Sequence, residues 1–180
     1  MTDSPTNADM NVKYEEEEKK EVAGLDDESG IIKLEDKYGN TFEVQREYAK
    51  ISKLLVTMFE HDNSKVQINT VEPKILKLVI DYLVHHKGVE PPIIEKPLRS
   101  KNMKDVCKDP WDADFIDEIG KNLENLYAVI LAANYFDIKS LLHLGSAKVA
   151  SLIKGEPLNE IKNILLVNSQ SSPTVEEKKE

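Results

Sequence analysis

The chain of 180 residues contains a single cysteine, Cys107. That excludes an intramolecular disulfide framework and any thiolate cluster for structural zinc, and it makes a reducing compartment the natural setting. Positive charge is scarce as well: 24 Lys+Arg stand against 33 Asp+Glu, a formal net charge of −9. A sequence-independent nucleic-acid binder needs clustered Lys and Arg, and so does a surface held to anionic lipid; neither is expected. The longest apolar run, Leu126 to Ala133, has eight residues, against the roughly 20 that a membrane helix needs. The N-terminus is acidic and polar and does not read as a signal or transit peptide. No Asn-x-Ser/Thr sequon occurs. A soluble intracellular protein is expected.

The vocabulary of catalysis is also missing. There is no Gly-rich phosphate loop and no G-x-S-x-G. His85 and His86 are adjacent, so on a helix they should diverge by about 100° and fail to share a metal, while His61 and His143 fall in unrelated segments. Cys107, beside Lys108, reads as an exposed bystander thiol. Asp112 and Asp114 read as solvated charges at a helix start, where they favour the dipole. No enzyme activity, cofactor or metal is expected.

What is present is unevenly distributed. Residues 1–30 carry ten acids and three bases, with only eight apolar residues and no sustained period. Too little surface can be buried there to offset ordering entropy, so a disordered acidic tail is expected; residues 168–180 read likewise. Residues 31–170 hold 20 acids, 19 bases and 63 of the 72 apolar residues, an ordinary composition for one globular domain.

Within it, Ile32-Lys33-Leu34-Glu35 and Thr41-Phe42-Glu43-Val44 alternate around Tyr38-Gly39-Asn40 and predict a β-hairpin. Arg46 to Glu60 takes helical spacing, and Val66 and Ile68 suggest a third strand. Pro73 opens a helix whose apolar stripe is Ile75, Leu76, Val79, Ile80, Leu83 and Val84. Residues 88–110 hold Pro91, Pro92, Pro97 and Pro110 with nine charged side chains and no amphipathic period, as in a long, flexible surface loop. Trp111 to Ile119 resumes a helix. Leu123 to Phe136 is apolar almost all round and predicts a central helix buried on most sides. Asp137 is the expected N-cap of a helix that Gly155 ends, and a short helix from Pro157 to about Val167 closes the pattern.

Longer words now carry a resemblance. The segment Leu131-Ala132-Ala133-Asn134-Tyr135-Phe136-Asp137-Ile138-Lys139-Ser140-Leu141-Leu142 resembles a signature of the S-phase-kinase-associated protein family, the adaptors of SCF ubiquitin ligases. Trp111-Asp112-x-x-Phe115 and Val149-Ala150-x-x-Ile153-Lys154-Gly155 stand at that family's usual distances from it. Ile32-Lys33-Leu34, Gly39-x-x-Phe42-x-Val44 and Ile75-Leu76-x-x-Val79-Ile80-x-x-x-x-His85-His86-Lys87 match its N-terminal half. The likeness covers nearly all of 31–167.

The resemblance implies an α+β BTB/POZ fold, a small β-sheet flanked by helices, with additional C-terminal helices. Residues 31–87 and 111–136 would form the two parts of the POZ domain around the loop 88–110, and residues 137–167 an F-box-binding extension. It implies a non-catalytic adaptor in the cytoplasm and nucleus that bridges a cullin to F-box proteins, with the cullin's RING subunit reached only indirectly. No nucleic acid, membrane or small-molecule substrate is expected, and weak self-association is compatible with the fold. Carried over by position, Asn134 and Tyr135 would face the cullin; alternatively Asn134 only caps its helix and Tyr135 packs beneath the next one. The F-box-facing candidates are Leu126, Tyr127, Ile130, Val149, Ile153 and Ile161, each of which could instead be core.

Three departures from the family pattern matter. No Trp follows Asn168, so part of the implied F-box interface is missing. The loop is basic where the family's is acidic. The acidic residues 1–30 lie outside the likeness. Rival readings are an elongin-C-like adaptor, disfavoured because the chain continues from Asp137 to Val167, and a self-associating BTB/POZ dimerisation module.

Overall fold

The computed structural model describes residues 30–61 and 65–165. The acidic residues preceding Gly30, the segment 168–180 and the end of the last expected helix lie outside the described residues.

Strand β1 (Ile31–Asp36) is central to a three-stranded sheet of order β2-β1-β3. It pairs antiparallel with β2 (Thr41–Gln45), Ile32 opposite Val44 and Leu34 opposite Phe42. It pairs parallel with β3 (Val66–Ile68), Leu34 opposite Val66. The alternation that predicts the hairpin is the burial pattern observed: Ile32, Leu34, Val44, Val66 and Ile68 are buried and line one face. Between the first two strands, Gly39 takes φ of +85°. Asp36 organises this turn by accepting the N–H groups of Tyr38 and Asn40 at 2.8 and 2.9 Å and the Asn40 side-chain amide at 2.8 Å. Burial alone would raise the Asp36 carboxyl, but these hydrogen bonds hold it below the usual carboxylate range.

A 3-10 turn (Tyr48–Ile51) leads into helix α1 (Lys53–His61). Ser52 joins two parts of the fold here. Its Oγ accepts the Leu55 N–H at 3.2 Å, capping α1, and donates to the Phe136 carbonyl at 2.6 Å. Helix α2 (Pro73–His86) buries Ile75, Leu76, Val79, Ile80 and Leu83 as its spacing predicts. The sixth buried position is Tyr82, whereas Val84 is 43% exposed. Lys87 and Gly88 end the helix in left-handed conformations; a Cβ on Gly88 would stand 2.1 Å from the Glu47 carbonyl oxygen. Only glycine lets the chain leave α2 by that route.

The segment after Gly88 is more structured than its composition predicts. It contains a short helix, α3 (Met103–Val106), with Met103 buried, and Ile94, Leu98, Val106 and Cys107 pack against the core. Cys107 is half-buried, and burial, then the nearby Asp112, Asp117 and Asp109, push its thiol up to about 11. A cavity of about 430 Å³ separates this segment from Tyr82, Ser140 and Leu144.

Helix α4 (Pro110–Ile119) begins with the Asp109 carboxylate accepting the Trp111 N–H at 2.9 Å. Here Asp112 corrects its sequence reading: it is buried and holds His86 Nε2 at 2.9 Å, while Asp114 is exposed and pairs with Lys104. Trp111 stacks on Phe115 at 4.6 Å and on His85 at 3.9 Å. The histidines also behave differently from expectation. Their Cβ atoms diverge, but both rings swing toward α4, and their centroids stand 4.9 Å apart.

Helices α5 (Leu123–Tyr135) and α6 (Lys139–Ile153) cross at Gly145, where a Cβ would stand 2.5 Å from Ile130 Cγ1. Asp137 is not the N-cap of α6. It adopts φ of +49° in the link between the helices, and Ile138 occupies the cap position without a side-chain bond. Helix α7 (Leu158–Leu165) follows Gly155, whose φ is +73°. No helix among the described residues is long and apolar enough to cross a membrane.

Candidate partner-binding surfaces

Helix α5 is apolar on nearly every side and, with Leu123, Ala128, Ile130 and Tyr135 partly buried against the core, is covered on most of them. Leu126, Val129, Ala132 and Ala133 enter the core, whereas Leu131 is 67% exposed and Asn134 is exposed. A helix of this composition buried only in part leaves apolar surface for another molecule. Around its C-terminal end Leu131, Asn134 and half-buried Tyr135 stand at helical neighbour spacing. The Asn134 side chain makes no hydrogen bond among the described residues, while its backbone carbonyl accepts the Asp137 N–H at 3.2 Å. Tyr135 is braced edge-on against Phe136 at 5.2 Å. The Ser52 bond to the Phe136 carbonyl ties this corner to the start of α1. Leu131 opens the signature segment but is not among the partner-facing candidates, although its place three positions before Asn134 puts it on the same face.

A second apolar surface forms at α6 and α7. Helix α7 has no fully buried residue: Leu158 and Leu165 are 68% and 48% exposed, and Ile161 and Ile164 are half-buried. Its apolar positions recur at three and four, so they share a face. Ile153, at the end of α6, is half-buried too. The Tyr127 hydroxyl donates to the Ile164 carbonyl at 3.0 Å and ties α7 to α5; burial pushes this phenol up from its usual value.

The six residues expected to face an F-box therefore separate. Leu126 is fully buried, so it is core and is removed from the surface. Helix α5 packs on α2, α4 and α6, and which of its apolar residues that packing covers is a distinction that apolar character alone does not encode. Ile130 and Val149 are half-buried and pack against the core. Tyr127 bonds to α7, Ile161 lies on it, and Ile153 is half-buried at the end of α6. Leu158 and Leu165, not singled out from the sequence, extend this surface.

A three-stranded mixed sheet with flanking helices and two apolar surfaces on its C-terminal helices defines a POZ-type, α+β interaction module. The model of the Skp1 family tetramerisation domain matches residues 30–88. A protein of Tetrahymena thermophila named S-phase kinase-associated protein 1 homolog is 41% identical over 154 residues, covering 84% of this chain and 91% of the relative. The SCF subunit sconC of the E3 ubiquitin ligase complex of Arthroderma otae is 33% identical over 149 residues, 81% of this chain and 88% of its own length. The SCF ubiquitin ligase complex protein SKP1a of Dictyostelium discoideum is 32% identical over 152 residues, 82% and 90% of the two chains. The chain belongs to the Skp1 family.

Proposed function

We propose that this protein is a non-catalytic adaptor subunit of an SCF-type cullin-RING ubiquitin ligase, holding F-box proteins against a cullin in the cytoplasm and nucleus. The observation that carries the reading is the pair of separate apolar surfaces, one at the C-terminal end of α5 and one across α6 and α7, joined through α5. Leu131, Asn134 and Tyr135 form the cullin-facing surface, and Tyr127, Ile153, Leu158, Ile161 and Leu165 the F-box-facing one. Tyr127 and Tyr135 are eight positions apart on α5, about 12 Å along its axis, so two partners can be held at once. Relatives named as SCF subunits, similar along most of their length, support the same reading. Tyr135 supplies a large, stiff contact and Asn134 a directional hydrogen bond, the residue chemistry of an interface anchor.

The test is capture of partners on the full chain and on Asn134→Lys/Tyr135→Lys. Wild type should recover a cullin and several F-box proteins; the double variant should lose the cullin and keep the F-box proteins. Recovering neither from wild type sinks the adaptor reading.

A further inference from the structure

The C-terminal end of α2 and the N-terminal end of α4 meet through four polar side chains. His85 Nε2 lies 2.8 Å from Asp109 Oδ2, and His86 Nε2 lies 2.9 Å from Asp112 Oδ1. Asp109 is fixed by its other oxygen, which accepts the Trp111 N–H and caps α4, so Oδ2 is left facing the histidines. Trp111 lies flat against His85, its ring within 8° of parallel, and Tyr82 packs on His86 at 4.3 Å. One ligand-capable atom from each of His85, His86 and Asp109 falls within 4.8 Å of the other two.

We propose that His85, His86 and Asp109 form a binding site for a divalent transition-metal cation of the Zn²⁺ class, with Asp112 orienting His86 from outside the coordination sphere. Two imidazoles and one carboxylate suit zinc and leave a fourth position for water, whereas Ca²⁺ and Mg²⁺ prefer all-oxygen sets. Metal–ligand bonds of about 2.0–2.1 Å place tetrahedral ligand atoms about 3.4 Å apart. The ligand atoms, within 4.8 Å of one another and with His85 Nε2 and Asp109 Oδ2 at 2.8 Å, adjust to that spacing on binding, and the His85 and Asp109 side chains are 30% and 35% exposed. A carboxylate bonded to a ligating histidine is the usual outer partner of such a site, and Asp112, 8% exposed, holds that position. Two independent His–Asp hydrogen bonds would not require both imidazoles and one carboxylate to converge; here they do. The bound ion would act as a clasp, joining α2 to α4 and closing the basic segment 88–108 between them.

The chain reports on this site by itself, because Trp111 is its only tryptophan and lies on His85. Full-length protein freed of metal with a chelator is titrated with Co²⁺ and then Zn²⁺. Expected are saturable quenching of Trp111 fluorescence at one Co²⁺ per chain, visible bands of four-coordinate Co²⁺, and reversal of both by Zn²⁺. Zn²⁺ should also slow trypsin cleavage at Arg99, Lys101, Lys104 and Lys108. His85→Gln should abolish these responses, and Asp112→Asn should weaken affinity about tenfold or more. Asp109→Asn removes the ligand while keeping a side chain that caps helices equally well, so its loss of binding cannot be ascribed to unfolding; far-UV circular dichroism verifies this. His143→Ala should bind like wild type. Absence of saturable quenching in wild type, or quenching unchanged in both His85→Gln and Asp109→Asn, overturns the proposal.

Discussion

Asp36 shows how one side chain can make a turn sensitive to pH. Its ionised carboxylate gathers two backbone N–H groups and the Asn40 amide, and its pKa is thereby depressed below the ordinary 3.8. A group depressed in the folded state contributes stability above its unfolded pKa and loses it as pH falls through the folded value. Asp36→Ala should therefore lower the urea midpoint at neutral pH, and the gap from wild type should close on acidification below 3.8. A gap that stays constant to lower pH would show that the hydrogen bonds do not depend on the charge. Leu126 makes the complementary case. Because it is fully buried, Leu126→Ala should cost about 2–5 kcal/mol in denaturant unfolding. An F-box contact on an intact fold would cost binding and little stability instead. Asp112, an apparently solvated helix-start acid, is buried against His86 because a helix from a distant part of the chain arrives there.

At the scale of elements, α7 is the most informative. It is held by the Tyr127 bond and by half-buried Ile161 and Ile164, and it leaves Leu158 and Leu165 in solvent. Leu158→Glu/Leu165→Glu should change stability by no more than about 0.5 kcal/mol, as exposed positions do, and should weaken F-box binding measured by calorimetry. Unchanged binding would remove α7 from the proposed surface. The crossing of α5 and α6 makes the opposite demand. A larger side chain at Gly145 collides with Ile130, so Gly145→Val should destabilise by about 1–3 kcal/mol, and adding Ile130→Ala should recover part of that loss in thermal melts. The hairpin, α2 and α5 were legible in sequence because period 2 and period 3.6 are local signals. Helix α3 was not, because four residues of helix in a Pro-rich, charged stretch carry no period, and it is Met103 entering the core that stabilises them. The start of α6 was misplaced for a related reason. Asp137 has the chemistry of an N-cap, but Ile138 is fully buried, and this draws the chain into a left-handed turn at Asp137.

For the molecule as a whole, two surfaces on one rigid scaffold predict independent binding. Charge introduced by Asn134→Lys/Tyr135→Lys should reduce cullin affinity without changing F-box affinity; equal loss of both would indicate misfolding. Sedimentation at rising concentration separates the adaptor from a self-associating module. A chain that is monomeric alone and forms a 1:1 complex with an F-box peptide supports the adaptor, and a tight homodimer excluding that peptide argues against it.

The net charge of −9 resides almost entirely in the ends of the chain, so the domain between them is near neutral, and what it offers a partner is exposed apolar helix positions with a few polar side chains beside them. Its hairpin, its longer periodic helices, its poverty in catalytic and redox residues and its likeness to a family are properties of sequence alone, because they depend on spacing along the chain. Which apolar residues are core and which remain outside is not. Leu126 and Leu131 are the same residue type on one helix, and only the packing of that helix among α2, α4 and α6 buries the first and exposes the second. The approach of His85 and His86 to Asp109 likewise depends on α2 and α4 meeting across the segment between them. Contacts between distant segments are made when the chain closes on itself, and no local period encodes them.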